Sequence, residues 1–141
     1  MSTDRRADIL AAIEARETAA RAATQGPWWA KGQRVVYGED GEHYDGLIAN
    51  TLGGFAFPAQ NAHHIAMWHP EVVLRWCAAA RRVLDRHRPD EVPKNRPSEW
   101  CCVGCSDEDR EQPQYVDWPC IEVSDLADML GIELTDASEG R

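Results

Sequence analysis

A Cys-x-x-Cys pair flanked at equal distances by a histidine and a third cysteine is the feature that most limits how this chain can fold. His87 is followed after fourteen residues by Cys102, Cys102 after two by Cys105, and Cys105 after fourteen by Cys120. A Cys-x-x-Cys turn places two sulfurs on one side of a tight loop, and Gly104 lets the backbone fold beneath an ion held there. His87, at the end of an expected helix, and Cys120, behind Pro119 and just before another, can complete a tetrahedron. A site of three cysteines and one histidine leaves no position for water or substrate, so the expected cofactor is a structural zinc. The same residues also admit free cysteines in a reducing compartment, a redox pair, or a catalytic zinc. The redox reading lacks the strand-to-helix setting that such pairs use. Adjacent residues seldom both reach one ion, so Cys101 is either spare or the ligand in place of Cys102. Cys77 falls on an apolar helix stripe and reads as core.

Periodicity predicts an α+β fold: N-terminal helix, small antiparallel sheet, long helix, zinc-stapled loop and short C-terminal helix. Ile9, Leu10, Ile13, Ala20 and Ala23 recur near helical spacing, with Glu17 four residues before Arg21, which predicts a helix over 4–23. Thr24-Gln25-Gly26-Pro27 ends it. Strands are expected at 28–31, 34–37, 47–51 and 55–57, separated by glycine-bearing turns. A helical stretch over 61–68 precedes Pro70, which opens a longer helix whose Val73, Trp76, Cys77, Ala80, Leu84 and His87 share one stripe. Residues 88–97 read as irregular, and a last helix spans 123–130 with Gly131 as its stop.

A chain of 141 residues with this composition is expected to form a single soluble domain, 1–141, with a helix/sheet/helix body over 1–88 and a zinc-braced segment over 89–141. The excess of acid marks that boundary. Residues 1–88 carry 11 basic and 10 acidic side chains, whereas 89–141 carry 4 and 14, a net charge of −10. Such a surface repels phosphate backbones and suits a basic protein partner, so direct nucleic-acid binding by it is not expected. The same acid could serve solubility alone. No apolar run is long enough to cross a membrane, and Asp4, Arg5 and Arg6 argue against a signal peptide, so a cytoplasmic location is expected.

His63, His64 and His69 could form a second metal or acid/base cluster, yet no HExxH spacing accompanies them and surface or capping roles suffice. Among six tryptophans, Trp28, Trp68, Trp76 and Trp118 are expected in the core. Trp29 and Trp100 are candidates for contact with a partner, together with Glu108, Asp109 and Glu111. No nucleotide-binding loop, nucleophile elbow or spaced carboxylate pair is present.

The segments Ala-Ala-Thr-Gln-Gly-Pro-Trp (22–28), Asn-Ala-His-His-Ile-Ala (61–66), Pro-Glu-Val-Val-Leu-Arg (70–75) and Arg-Arg-Val-Leu-Asp-Arg-His (81–87) resemble an uncharacterised actinobacterial and actinophage family of unknown function. They are similar, more distantly, to the Ead-like early proteins of temperate phages. In the actinobacterial family a segment like Cys102-x-x-Cys105 and Trp118-Pro119-Cys120 follows, which groups His87 with the three cysteines. His69 and Glu122 depart from it, standing where an acidic residue and a threonine are usual. The resemblance implies a phage or prophage setting and carries no activity. The leading expectation is a non-catalytic accessory protein that binds and modulates a host protein in the host cytoplasm. The alternatives are an acidic DNA mimic or a nucleic-acid regulator using Arg81, Arg82, Arg86 and Arg88, and a small metal-dependent hydrolase using the three histidines.

Overall fold

The computed structural model describes residues 2–53, 57–91, 100–109 and 111–132. In chain order these form helix α1 (Ser2–Ala22), strands β1 (Trp28–Lys31), β2 (Arg34–Tyr37) and β3 (Gly46–Asn50), helices α2 (Pro58–Met67) and α3 (Pro70–Arg86), strands β4 (Pro89–Glu91) and β5 (Trp100–Cys102), and helix α4 (Ile121–Met129). The mixed α+β architecture is the one the periodicities predict. Two compact units result, one of residues 15–77 and one combining 1–14 with 78–141, so α1 and α3 each contribute to both.

In the unit of residues 15–77, β1, β2 and β3 form an antiparallel sheet in that order. The β1–β2 turn contains Gly32 at φ 59, a conformation that costs a residue without Cβ least. Val35 is fully buried and packs with Ala62 and Ala66 of α2, flanked by Trp28, Ala30, Ile48, Ala49 and Ile65. Residues 62 and 66 lie one turn apart, which puts both alanines on the face of α2 turned to this core. Pro58 starts α2 three residues before the expected position, because proline at the first helical position lacks only an amide that would have no partner. Of the fourth expected strand, residues 55 and 56 lie outside the described residues. Phe57 is left-handed, at φ 62, and serves as the N-cap of α2, so it is no strand residue.

In the other unit, Ile9 and Ile13 of α1 and Ala80 and Leu84 of α3 are buried, as their stripes predict. Arg6 Nη2 reaches Asp85 Oδ1 at 3.2 Å, an exposed pair that adds little stability. The 88–97 stretch is not wholly irregular: residues 89–91 pair antiparallel with residues 100–102, while 92–97 lie outside the described residues. On the far edge of β5 the chain returns, with Cys102 N–H donating to Val116 O at 2.7 Å and Trp118 N–H to Trp100 O at 3.2 Å. Helix α4 ends in a Schellman turn. Gly131, at φ 69, donates to Asp128 O, and Ile132 N–H donates back to Ala127 O at 2.9 Å.

The tryptophans depart from expectation in two places. Trp118 is buried and Trp28 and Trp76 are half-buried, but Trp68, expected in the core, is half exposed at the C-cap of α2. Trp29 faces outward at 38% exposure, whereas Trp100 is half-buried within β5. Among the described residues no helix is long and apolar enough to cross a membrane.

Leu84 has no exposed surface, so Leu84→Ala leaves a cavity and should cost about 3 kcal/mol of stability in urea unfolding.

Candidate metal centre

Four short pieces of chain supply the donors. His87 follows the last residue of α3, and its N–H donates to Val83 O at 2.9 Å, so the helical hydrogen bonding continues up to the ligand. Its carbonyl accepts the Trp118 indole N–H at 2.7 Å, fixing where the chain leaves the helix. Cys102 ends β5, and Cys105 lies three residues on, in a turn closed by Ser106 N–H donating to Cys102 O at 3.0 Å. Cys120 is the extended N-cap of α4, where its carbonyl accepts Ser124 N–H at 2.9 Å. The Trp118–Pro119 bond just before it is cis.

These elements bring one imidazole nitrogen and three sulfurs together. His87 Nδ1 lies 3.5 Å from Cys102 Sγ, 3.4 Å from Cys105 Sγ and 3.6 Å from Cys120 Sγ. All four atoms lie within 4.8 Å of one another, close enough to bind one metal ion. The ring nitrogen turned inward is Nδ1, a detail no spacing rule predicts. Cys102 and Cys120 are buried, while His87 and Cys105 are half-buried, so one side of the cluster is open to solvent.

Strand geometry separates Cys101 from Cys102. Successive side chains of β5 point to opposite faces. Cys102 therefore joins the cluster, and Cys101, equally buried, turns to the other side and bridges to Asp117 through the backbone. Cys101 is not in the donor set. Cys77 is fully buried on α3, as a core residue should be.

Gly104 serves a close approach of the backbone, as expected, here to the end of α3. Its backbone is not left-handed. A Cβ there would lie 2.4 Å from Arg86 O and 3.2 Å from His87 Nδ1, so only hydrogen lets the Cys-x-x-Cys turn pass under the end of α3.

The surroundings of the sulfurs disfavour thiolate in the absence of an ion. Burial, then the neighbouring Cys102 side chain, pushes the Cys105 thiol up to about 11. Burial pushes Cys120 up further, and it raises Cys101 as well. Glu122, in the first turn of α4, is held below the usual carboxylate range by its own backbone amide and then by the Cys120 side chain. Its Oε2 accepts a hydrogen bond from Cys105 Sγ at 3.6 Å. Sequence reasoning treated Glu122 only as a departure from a resemblance, because nothing in its spacing marks it as a neighbour of Cys105.

The acidic candidates extend from the same turn. Asp107 and Gln114 exchange backbone hydrogen bonds of 2.8 and 2.9 Å, and Glu108, Asp109 and Glu111 are exposed between them. Ser106 Oγ accepts Val116 N–H at 3.1 Å, tying this hairpin to the strand return. The three histidines behave otherwise. His63 and His64 are exposed on α2, where neighbouring residues point apart, and His69 precedes α3 with its carbonyl accepting Val72 and Val73 N–H. No metal-binding group containing them is found among the described residues.

The fold and site thus define a class: an α+β protein whose C-terminal loops bring one histidine and three cysteines close enough to hold a metal ion. The chain belongs to a family of unknown function, DUF6221, whose model matches residues 6–127 and so spans the whole cluster. No curated protein sequence and no solved structure matches it.

Two outcomes follow. Gly104→Ala should abolish metal uptake while leaving α1 and the β1–β3 sheet folded, read by metal titration and amide NMR. Because Cys105 and Cys120 hold their protons at neutral pH, loading must release at least these two, so affinity should fall by at least about a hundredfold per unit as pH is lowered. Isothermal titration in buffers of differing ionisation enthalpy counts the protons.

Proposed function

We propose that the cluster holds one zinc ion in a structural role and that the protein is a non-catalytic phage or prophage accessory protein that binds and modulates a host protein. The observation that carries the reading is the donor geometry. Zinc sits about 2.1 Å from imidazole nitrogen and 2.3 Å from thiolate sulfur, and in a tetrahedron those lengths give a nitrogen–sulfur edge of about 3.6 Å. The three observed separations are 3.5, 3.4 and 3.6 Å. Thiolates with one imidazole suit zinc over calcium, magnesium or manganese. Four protein donors fill the tetrahedron, so the ion would brace the loops without offering a place for water or substrate.

With the ion closed off, function falls to the surface it holds. The hairpin carrying Glu108, Asp109 and Glu111 springs from the Cys105 turn, and its exposed carboxylates suit a basic patch on a partner. In the unit of residues 15–77, Trp29 is a separate exposed aromatic candidate for contact. The phage or prophage setting rests on the resemblance of segments 22–28, 61–66, 70–75 and 81–87, and a cytoplasmic location follows from that setting.

A second reading draws on α3. Arg75, Arg82 and Arg86 are exposed, at spacings that share one face, and exposed Arg88 follows beside His87. That row suits phosphates of a bound nucleic acid; in the alternative form of this reading the acidic hairpin stands in for phosphates toward a DNA-binding host protein. Binding to duplex DNA with a strong inverse salt dependence, lost in Arg82→Glu with Arg86→Glu, would favour it.

Purified protein should contain one zinc per chain, and a strong chelator should lower its melting temperature and unfold the C-terminal region. Absence of stoichiometric metal, with melting unchanged by chelator, would sink the zinc assignment. Tagged protein expressed in a host should retain a partner at near-stoichiometric level, and Glu108→Lys, Asp109→Lys and Glu111→Lys together should release it. Retention by the triple variant would remove the acidic surface from the proposal.

A further inference from the structure

Glu122 meets the cluster's sulfurs, through Cys105 Sγ and the Cys120 side chain, and the nature of the Cys105 contact decides what it does. Cys105 Sγ is the donor and Glu122 Oε2 the acceptor, at 3.6 Å. The contact exists only while sulfur carries hydrogen. Once Cys105 becomes a ligand its sulfur has no hydrogen to give, and the same geometry sets one acceptor against another. The charges point the same way. A divalent ion with three thiolates and a neutral imidazole carries one net negative charge, and a carboxylate against it repels. Glu122 is also exposed and placed in the first turn of α4, two residues after Cys120, where the helix dipole favours its charged form.

We infer that Glu122 is a tuning residue that weakens metal binding at the Cys3His cluster and keeps its ion exchangeable. The inference rests on the metal reading of the cluster. Outer partners accept the free N–H of a ligating imidazole or donate to an anionic ligand, and losing such a partner weakens the site. Glu122 faces its ligand with the opposite polarity, so replacing it should strengthen the site. Glutamine keeps the shape and turns an N–H toward the Cys105 sulfur in place of a lone pair. The loss of helix-dipole stabilisation in Glu122→Gln is common to the free and loaded forms and cancels in the affinity.

The full chain, its Glu122→Gln variant and, as a charge control, Asp128→Asn are compared by zinc competition against a chromogenic chelator at neutral pH and low salt. Asp128 is exposed on the same helix, well past its first turn. Cobalt(II) absorption reports whether all three proteins form the same tetrahedral thiolate site. Glu122→Gln is expected to bind zinc about tenfold more tightly and to release it more slowly to excess chelator, with an unchanged cobalt spectrum and with Asp128→Asn matching the wild type. Affinity in Glu122→Gln equal to or below that of the wild type overturns the inference while leaving the site intact. Equal tightening by Asp128→Asn also overturns it, since the effect would then be one of overall charge. A wild-type chain that takes up neither metal overturns the metal reading itself, a result separable from both.

Discussion

The C-terminal chain depends on the constraints that meet at His87. Its amide closes the last turn of α3, its carbonyl accepts the Trp118 indole, and its Nδ1 faces three sulfurs at 3.4–3.6 Å. Strands of three residues and a nine-residue helix are too short to be stable alone. What they share is convergence on this residue: β5 ends at Cys102, the following turn presents Cys105, and α4 begins from Cys120. The buried side chains around them include Cys101, Cys102, Trp118, Cys120, Val123, Leu126 and Leu130. An ion joining four such points would add cohesion to that apolar packing.

The same dependence explains which parts of the fold were legible in the sequence. α3 could be read because proline starts it and its apolar residues hold one period for seventeen residues. β1 and β2 could be read because Gly32 separates two runs rich in apolar and aromatic residues. β4 and β5 carry no such signal. Three residues cannot show alternation, and their pairing follows from where His87 directs the chain. Trp68 was misjudged because an aromatic beside a helix end has no periodic context, and its side of the chain is fixed by how α2 stops.

The site was half legible for related reasons. Ligand identity follows from spacing, because a Cys-x-x-Cys turn and two flanking donors can meet through many backbone paths. Cys101 and Cys102 could not be told apart until the strand existed, since alternation assigns sides only along an extended backbone. Gly104 was expected to let the backbone fold beneath an ion, but that Arg86 O and His87 Nδ1 pass within a Cβ's reach of it could not be read from its own segment. Such an approach is a property of two segments together, and no window of one segment contains it.

Charge then connects the cluster to the surface. Glu122 and the hairpin acids Glu108, Asp109 and Glu111 gather negative charge in one stretch of chain, with few local cations to offset it. Without an ion, burial keeps the Cys105 and Cys120 sulfurs protonated, and the hairpin is held by backbone bonds such as those between Asp107 and Gln114. With an ion, the Cys105 turn at the hairpin's base is fixed. In the proposed reading, a partner that recognises only the fixed hairpin must by linkage raise the affinity for metal by the factor by which metal raises the affinity for the partner. A site bound as tightly as possible would always be filled and could carry no such coupling. A site weakened by a carboxylate at its open side can be partly filled, and only then does its occupancy respond to what the hairpin meets.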